Sequence, residues 1–321
     1  MKAKRREGIQ MGNGIDGDGY IAFPRQEWAA LRANAPLPLK ESELEQLRGL
    51  NERVSMADVE DVYLPLARFL NLHIQASRGL HATVLANFLG TPVPPAPYVI
   101  GVAGSVGVGK STFARLLRTL LARWPAHPRV DLITTDGFLL PTAVLEARGL
   151  MERKGFPESY DQKRMLAFLT ALKAGEPALE VPLYSHKIYD ILPDQTQIVD
   201  RPDILIFEGL NVLQAIPAVS VVASDFFDFS IYLDARTEDI ERWFVERFLL
   251  LQRSAFQDPS SYFYALRDLP EADARARAGG IWQRINLPNL VQNILPTRER
   301  ARLILRKSAT HAIEAVRLRN V

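Results

Sequence analysis

Gly104-Ser105-Val106-Gly107-Val108-Gly109-Lys110-Ser111 fits the pattern G-x-x-x-x-G-K-[ST], and its reading decides the fold of the whole chain. An apolar run at 98–103 precedes it directly. Beyond it, Phe113, Leu116, Leu117, Leu120, Leu121 and Trp124 recur at the spacing of one helix face over 112–124. In the order strand, glycine-rich loop, helix, backbone N–H groups curl around a phosphate while the helix start adds its positive dipole end. Lys110 is then placed to reach the β- and γ-phosphates of a nucleoside triphosphate. The Ser111 hydroxyl is placed to ligate the Mg²⁺ that bridges them. A glycine-rich turn with a surface lysine is the plainer reading, and the flanking strand and helix argue against it.

Further short apolar runs read as buried strands at 130–135, 203–207 and 229–233, with a weaker one at 302–306. Helical patterns run over 162–173, closed by Gly175, and over 237–252. Strands alternating with helices predict an α/β P-loop fold, a mostly parallel central sheet flanked by helices. Residues 24–90 read as helical. Ser55 and Asp58 form a capping-box-like start, Val59, Val62, Tyr63, Leu66 and Leu70 follow at helical spacing, and Pro65 is expected to kink or break that helix. The segment 91–97, with four prolines, reads as a stiff connector. The expected organisation is a disordered lead-in over 1–19 and one P-loop domain over 20–321. That domain divides into a helical extension (20–97) and a catalytic core with an acceptor pocket (98–321). Met11 is an alternative start to Met1.

The chain has 321 residues, 47% of them apolar, and 39 Lys plus Arg balance 37 Asp plus Glu. That near balance argues against a nucleic-acid binder working by phosphate neutralisation. Cysteine is absent, which removes disulfides, thiolate metal sites and a cysteine nucleophile from consideration. No run of about 18 apolar residues reads as a membrane span, and no apolar stretch follows the basic start as a secretory signal needs. The expectation is a cytoplasmic enzyme with no membrane partner.

A phosphate-binding loop serves kinases, motor ATPases and GTPase switches alike, so the acceptor must be sought elsewhere. Leu132-Ile133-Thr134-Thr135-Asp136-Gly137-Phe138 places Asp136 at the carboxyl end of a strand, where open parallel sheets bind ligands. A carboxylate there can orient an alcohol and accept its proton, although Asp136 also suits a turn before Gly137. Glu208 ends the strand Asp203-Ile204-Leu205-Ile206-Phe207 like a shifted Walker B acid, able to hold a metal-bound water or neighbour Lys110, or to cap a helix. The guanine-reading segment Asn-Lys-x-Asp is absent, which disfavours a GTPase and leaves ATP as the default donor.

These residues together resemble the prokaryotic type I pantothenate kinases, relatives of uridine kinase and phosphoribulokinase. The likeness is carried by Tyr63-Leu64-Pro65-Leu66, by the loop through Thr112, and by Thr134-Thr135-Asp136-Gly137-Phe138. It continues through Lys154-Gly155-Phe156-Pro157-Glu158-Ser159-Tyr160-Asp161, Tyr184-Ser185-His186, Glu208-Gly209-Leu210-Asn211-Val212-Leu213, and Gln292-Asn293-Ile294-Leu295-Pro296-Thr297-Arg298-Glu299-Arg300. The resemblance implies transfer of the ATP γ-phosphate to the primary hydroxyl of pantothenate, in a homodimer inhibited by coenzyme A in competition with ATP.

Residue by residue, the resemblance makes Asp136 the base, has Lys110 and Ser111 hold triphosphate and Mg²⁺, and has Arg247 close on the γ-phosphate. Tyr184, His186, Tyr189 and Asn286 match positions that hydrogen-bond pantothenate, and Phe248 and Phe256 match aromatic positions around its pocket. Arg115 matches a residue that binds a phosphate of coenzyme A. Phe244 stands where many relatives carry a ligand-touching tyrosine, a lost hydrogen bond of about 0.5 to 1.5 kcal/mol. Arg53 and Leu266 also differ from polar or aromatic residues of relatives. By residue type alone His186 equally suits a surface loop, Arg247 a snorkelling side chain, and Phe256, Tyr262, Phe263 and Tyr264 core packing. Two other functions fit the same loop: a uridine or sugar-phosphate kinase, and a non-catalytic nucleotide or coenzyme A sensor.

Overall fold

Val99, Ile100, Val102 and Ala103 are all fully buried, as a strand with helices on both faces requires. They belong to β2 (Tyr98–Gly104), the middle of the five parallel strands of a seven-stranded sheet in the computed structural model, which describes residues 19–33, 37, 39–90, 96–215 and 221–320. The other strands are β1 (Tyr20–Pro24), β3 (Val130–Thr134), β6 (Ile204–Glu208), β7 (Phe229–Asp234), β8 (Leu303–Lys307) and β9 (Ile313–Arg319). Their order is β1-β9-β8-β7-β2-β6-β3, and β8, β7, β2, β6 and β3 run parallel. A separate antiparallel hairpin pairs β4 (Leu179–Ser185) with β5 (Asp190–Val199). The expected α/β architecture is observed.

Helix Lys110–Ala122 follows the loop and buries Phe113, Leu116, Leu117, Leu120 and Leu121 against the sheet, the stripe its spacing predicts. Gln162–Lys173 starts where the Asp161 carboxylate accepts the Arg164 N–H. Thr237–Gln252 has the expected bounds. Ser55 and Asp58 form the reciprocal cap, with the Asp58 N–H donating to Ser55 Oγ at 3.1 Å and the Ser55 N–H to Asp58 Oδ2 at 2.8 Å.

Three features differ from the sequence reading. Pro65 neither breaks nor ends its helix: the chain stays helical from Met56 to Leu89, with a π-helical turn at Val59–Tyr63 just before Pro65 in the first turn of Leu64–Val84. The wider turn absorbs the hydrogen bond that proline cannot donate. Tyr20–Pro24 is an edge strand antiparallel to β9, so the N-terminal extension joins the main sheet and is not helical throughout. Residues 48–55 are also non-helical. The lead-in over 1–18 and most of the 91–97 connector lie outside the described residues.

Candidate active site

Strand register puts the candidate residues on one edge. Glu208, the last residue of β6, is level with Val102 of β2 and Thr134 of β3, so Glu208, Asp136 and the glycine-rich loop leave the sheet side by side at its carboxyl ends. Close approach of two turns requires glycine. A Cβ on Gly209 would lie 2.0 Å from Thr135 Oγ1, so the turn after Glu208 can nest against the turn carrying Asp136 only without a side chain there.

Within the loop, buried Lys110 donates from Nζ to the Ser105 carbonyl at 2.8 Å. Burial lowers its pKa, and the Glu208 and Asp136 carboxylates oppose that shift. Ser111 Oγ donates to Glu208 Oε1 at 2.9 Å. Burial raises the Glu208 pKa, with Lys110 and the Ser111 hydroxyl pulling the other way. The Glu208 carboxylate thus meets the Ser111 hydroxyl at the start of the helix that follows the loop. Ser105, Val106, Gly107, Val108 and Gly109 form the turn between Gly104, the last residue of β2, and the helix that begins with Lys110, Ser111 and Thr112. Arg115, one turn into that helix, donates to the Leu47 carbonyl at 3.0 and 3.2 Å and to Thr112 Oγ1 at 3.2 Å.

Asp136 sits in a 3₁₀ turn, Thr135–Phe138, its side chain 26% exposed with His186 Nε2 3.8 Å from Oδ2. His186 lies in the turn between β4 and β5, and its ring is 5.2 Å from that of Tyr184. From there the aromatic rings form a chain. Tyr184 neighbours Tyr189 at 6.5 Å, Tyr189 neighbours Phe263 at 5.1 Å, Phe263 neighbours Phe256 at 5.0 Å, and Phe256 neighbours Phe248 at 5.4 Å. Arg247 is exposed beside buried Phe248 and lies within the electrostatic reach of Glu52, Asp136 and Glu208. Phe244 packs against Trp282 at 5.9 Å, and an added Gly107 Cβ would lie 3.8 Å from Phe244 Cβ, which puts this ring beside the loop. Asn286 lies one helical turn beyond Trp282, and its Nδ2 is buried without a hydrogen-bond partner, an open donor that invites a ligand.

Lys154 is the site residue to which the sequence reading gave no role. It is 8% exposed, its Nζ donates to the Tyr189 carbonyl and to Thr142 Oγ1, and it stands 3.9 Å from the Tyr189 ring centroid. Tyr189 has φ +57°, a left-handed backbone uncommon for an aromatic residue, so Lys154 secures a turn of intrinsic cost. The neighbouring Gly155 carbonyl accepts from Asn211 Nδ2 and from Asn289 Nδ2, each at 2.8 Å, and Asn289 in turn accepts from Asn293 Nδ2 at 2.9 Å. Three of the quoted motifs thus meet around one peptide unit. The available signal is the lysine that opens that motif.

Burial pushes the Lys154 pKa down to about 8, with Asp190 and Asp136 opposing. The unfolded lysine keeps its proton to about pH 10.5 while the folded one releases it near 8, so the stability of the ligand-free protein should rise across that window. Lys154→Met should flatten that rise in melting curves taken at successive pH values. An unchanged slope in the variant would refute the assignment.

No group of three or more His, Cys, Asp or Glu side chains among the described residues forms a ready-made metal cage. The Ser111 hydroxyl and the Glu208 carboxylate are hard oxygen donors that suit Mg²⁺, which takes few protein ligands when phosphates supply the rest. Among the described residues no helix is long and apolar enough to cross a membrane.

The Phosphoribulokinase / Uridine kinase family matches residues 99–245, the span from β2 into the helix that carries Arg247. A pantothenate kinase of Clavibacter sepedonicus is 56% identical over 303 residues, covering 94% of this chain and 95% of its own length. One of Mycolicibacterium smegmatis is 54% identical over 306 residues, covering 94% and 97%. The solved structure of the YGR205w protein shares the fold, with a TM-score of 0.52 at 13% identity over 78% of this chain and 99% of that one. Similarity at this level over nearly the full length, on a P-loop kinase fold, means that the chain belongs to the pantothenate kinase family.

Proposed function

We propose that the protein transfers the γ-phosphoryl group of ATP to the primary hydroxyl of pantothenate. The observation that carries this reading is the placement of Lys110, Ser111, Glu208 and Asp136 on one sheet edge, with His186 beside Asp136 and the hydroxyl-bearing rings of Tyr184 and Tyr189 following in turn. The loop N–H groups and Lys110 bind the triphosphate, and Asp136 orients the acceptor hydroxyl and takes its proton. Ser111 and Glu208 would hold Mg²⁺, which would supply charge neutralisation to the triphosphate. Arg247, exposed and within the electrostatic reach of Asp136 and Glu208, closes on the γ-phosphate. Tyr184, His186, Tyr189 and the open Asn286 amide supply polar contacts to pantothenate, Phe244, Phe248 and Phe256 line its apolar surroundings, and Lys154 adds a cation at the acceptor end. The names of the two relatives support pantothenate over other alcohols.

A coupled assay of ADP release with pantothenate, uridine and ribulose phosphate as alternative acceptors tests the substrate. Turnover should depend on pantothenate. Faster turnover with uridine, or ADP release that needs no acceptor, would overturn the reading. Coenzyme A in the same assay should raise the KM for ATP, with Arg115 released from the Leu47 carbonyl to meet a phosphate, and an inhibitor that leaves this KM unchanged would contradict a shared site.

The homodimer expected from the family resemblance has a surface available. Leu72, Leu80, Val84 and Phe88 are 52, 67, 48 and 84% exposed along the helical run from Met56 to Leu89, apolar surface that a second copy of the chain would cover. Sedimentation should give a dimer that Leu80→Glu dissociates, and a wild-type monomer at micromolar concentration would exclude it.

A further inference from the structure

The stretch from Leu47 to Glu52, between the helix Glu41–Leu47 and the helix capped by Ser55, lies against the phosphate-binding loop and the helix that follows it. Leu47 receives Arg115, and the Gly49 N–H donates to Thr112 Oγ1 at 3.0 Å. Asn51 Nδ2 donates to the Trp243 carbonyl at 3.1 Å. Glu52 ends the stretch in an ion pair with Lys307, the last residue of β8, at 3.0 Å. Their side chains are only 9% and 6% exposed. Lys307 Nζ also donates to the carbonyl of Val108 in the loop, at 2.9 Å. Gly109 follows with φ +95°, and a Cβ there would lie 2.3 Å from Glu52 Oε1, so Glu52 packs directly on the loop.

A trans peptide unit fixes the direction of its N–H once its carbonyl is fixed, because the two point opposite ways across the same plane. Val108 carbonyl and Gly109 N–H belong to one such unit. Holding that carbonyl toward Lys307, on the side of the sheet and the N-terminal stretch, aims the Gly109 N–H to the opposite side, where an anion nest needs its donors. A buried ion pair is weak evidence for stability, since desolvation offsets much of the attraction. Its use here is geometric, with Glu52 as the partner on the other side of the Lys307 Nζ. His311, stacked on Trp243 at 4.2 Å and 4.0 Å from Glu52, has its pKa pushed down to about 4 by burial and by Lys307, so it does not compete as a cation.

We infer that Lys307, paired with Glu52, is a positioning residue that holds the phosphate-binding loop in its anion-accepting shape through the Val108 carbonyl. This rests on the reading that the loop holds the triphosphate. The test is calorimetric binding of inorganic tripolyphosphate and of ATP, each with Mg²⁺, to the full-length wild type and to three variants: Lys307→Met, Glu52→Gln/Lys307→Met and Lys110→Met.

Lys307→Met should weaken tripolyphosphate and ATP by the same factor, about tenfold or more, the usual effect of losing a charge-assisted hydrogen bond, with the KM for pantothenate unchanged. The double variant, which no longer buries an unpaired carboxylate, should recover the melting temperature lost in the single one while still binding tripolyphosphate as weakly. Two results would overturn the inference: tripolyphosphate affinity untouched by Lys307→Met, which would place the residue at some other part of the nucleotide, or affinity that recovers together with melting temperature in the double variant. If Lys110→Met also binds tripolyphosphate like the wild type, the reading of the loop itself fails, and the anchor with it.

Discussion

Asp136→Asn is expected to lower kcat for pantothenate phosphorylation by about 100-fold to 10,000-fold, the range that a positioned general base contributes. The amide keeps the size of the side chain and can still accept a hydrogen bond from the hydroxyl, but it cannot take the proton. Nucleotide affinity should hardly change, because the loop and Lys110 make the phosphate contacts. The fold should survive as well, since the Asp136 carboxylate is 26% exposed and His186 Nε2, the ring nitrogen beside it, stands at 3.8 Å, beyond hydrogen-bond reach. Steady-state kinetics with a thermal melt separate these effects. Near-wild-type kcat in Asp136→Asn would move the base elsewhere.

Lys110→Met should lower kcat/KM for ATP on the order of a thousandfold, comparable to the loss of an electrostatic donor aimed at a developing charge. Its ammonium lies between the loop, through the Ser105 carbonyl, and the fields of Glu208 and Asp136. Removing it leaves two carboxylates facing an incoming triphosphate without the cation that offsets them, so binding and turnover fall together. The methionine fills a similar volume, and the lost ammonium was already disfavoured by burial, so the melting temperature should stay within a few degrees. A variant that kept ATP turnover within tenfold of wild type would place the phosphates somewhere other than this loop.

These two expectations and the Lys307 test probe one arrangement from three sides. Asp136 meets the acceptor, Lys110 meets the donor, and Lys307 touches neither and acts through the Val108 carbonyl. Their effects should therefore separate by parameter: kcat for Asp136, both parameters for Lys110, and phosphate affinity for Lys307.

The sequence alone determined what is local. Gly104 through Ser111 announced the loop because its chemistry needs fixed residue types at fixed spacing, and the stripe from Phe113 to Leu121 announced its helix because 3.6-residue periodicity is written within a dozen residues. Asp136 and Glu208 could be placed at strand ends for the same reason, and the family resemblance supplied the pocket residues that periodicity could not. Tertiary structure decided what depends on partners far along the chain. β1 exists as a strand because β9 lies beside it, nearly 300 residues later, and no local pattern reports that. The place of Lys154 follows from Asn211 and Asn289 converging on the Gly155 carbonyl, and that of Lys307 from Glu52, 255 positions away. Backbone propensity and hydrophobic period act over one or two turns, whereas a buried polar group is set by whichever distant donor or acceptor the packed chain brings to it.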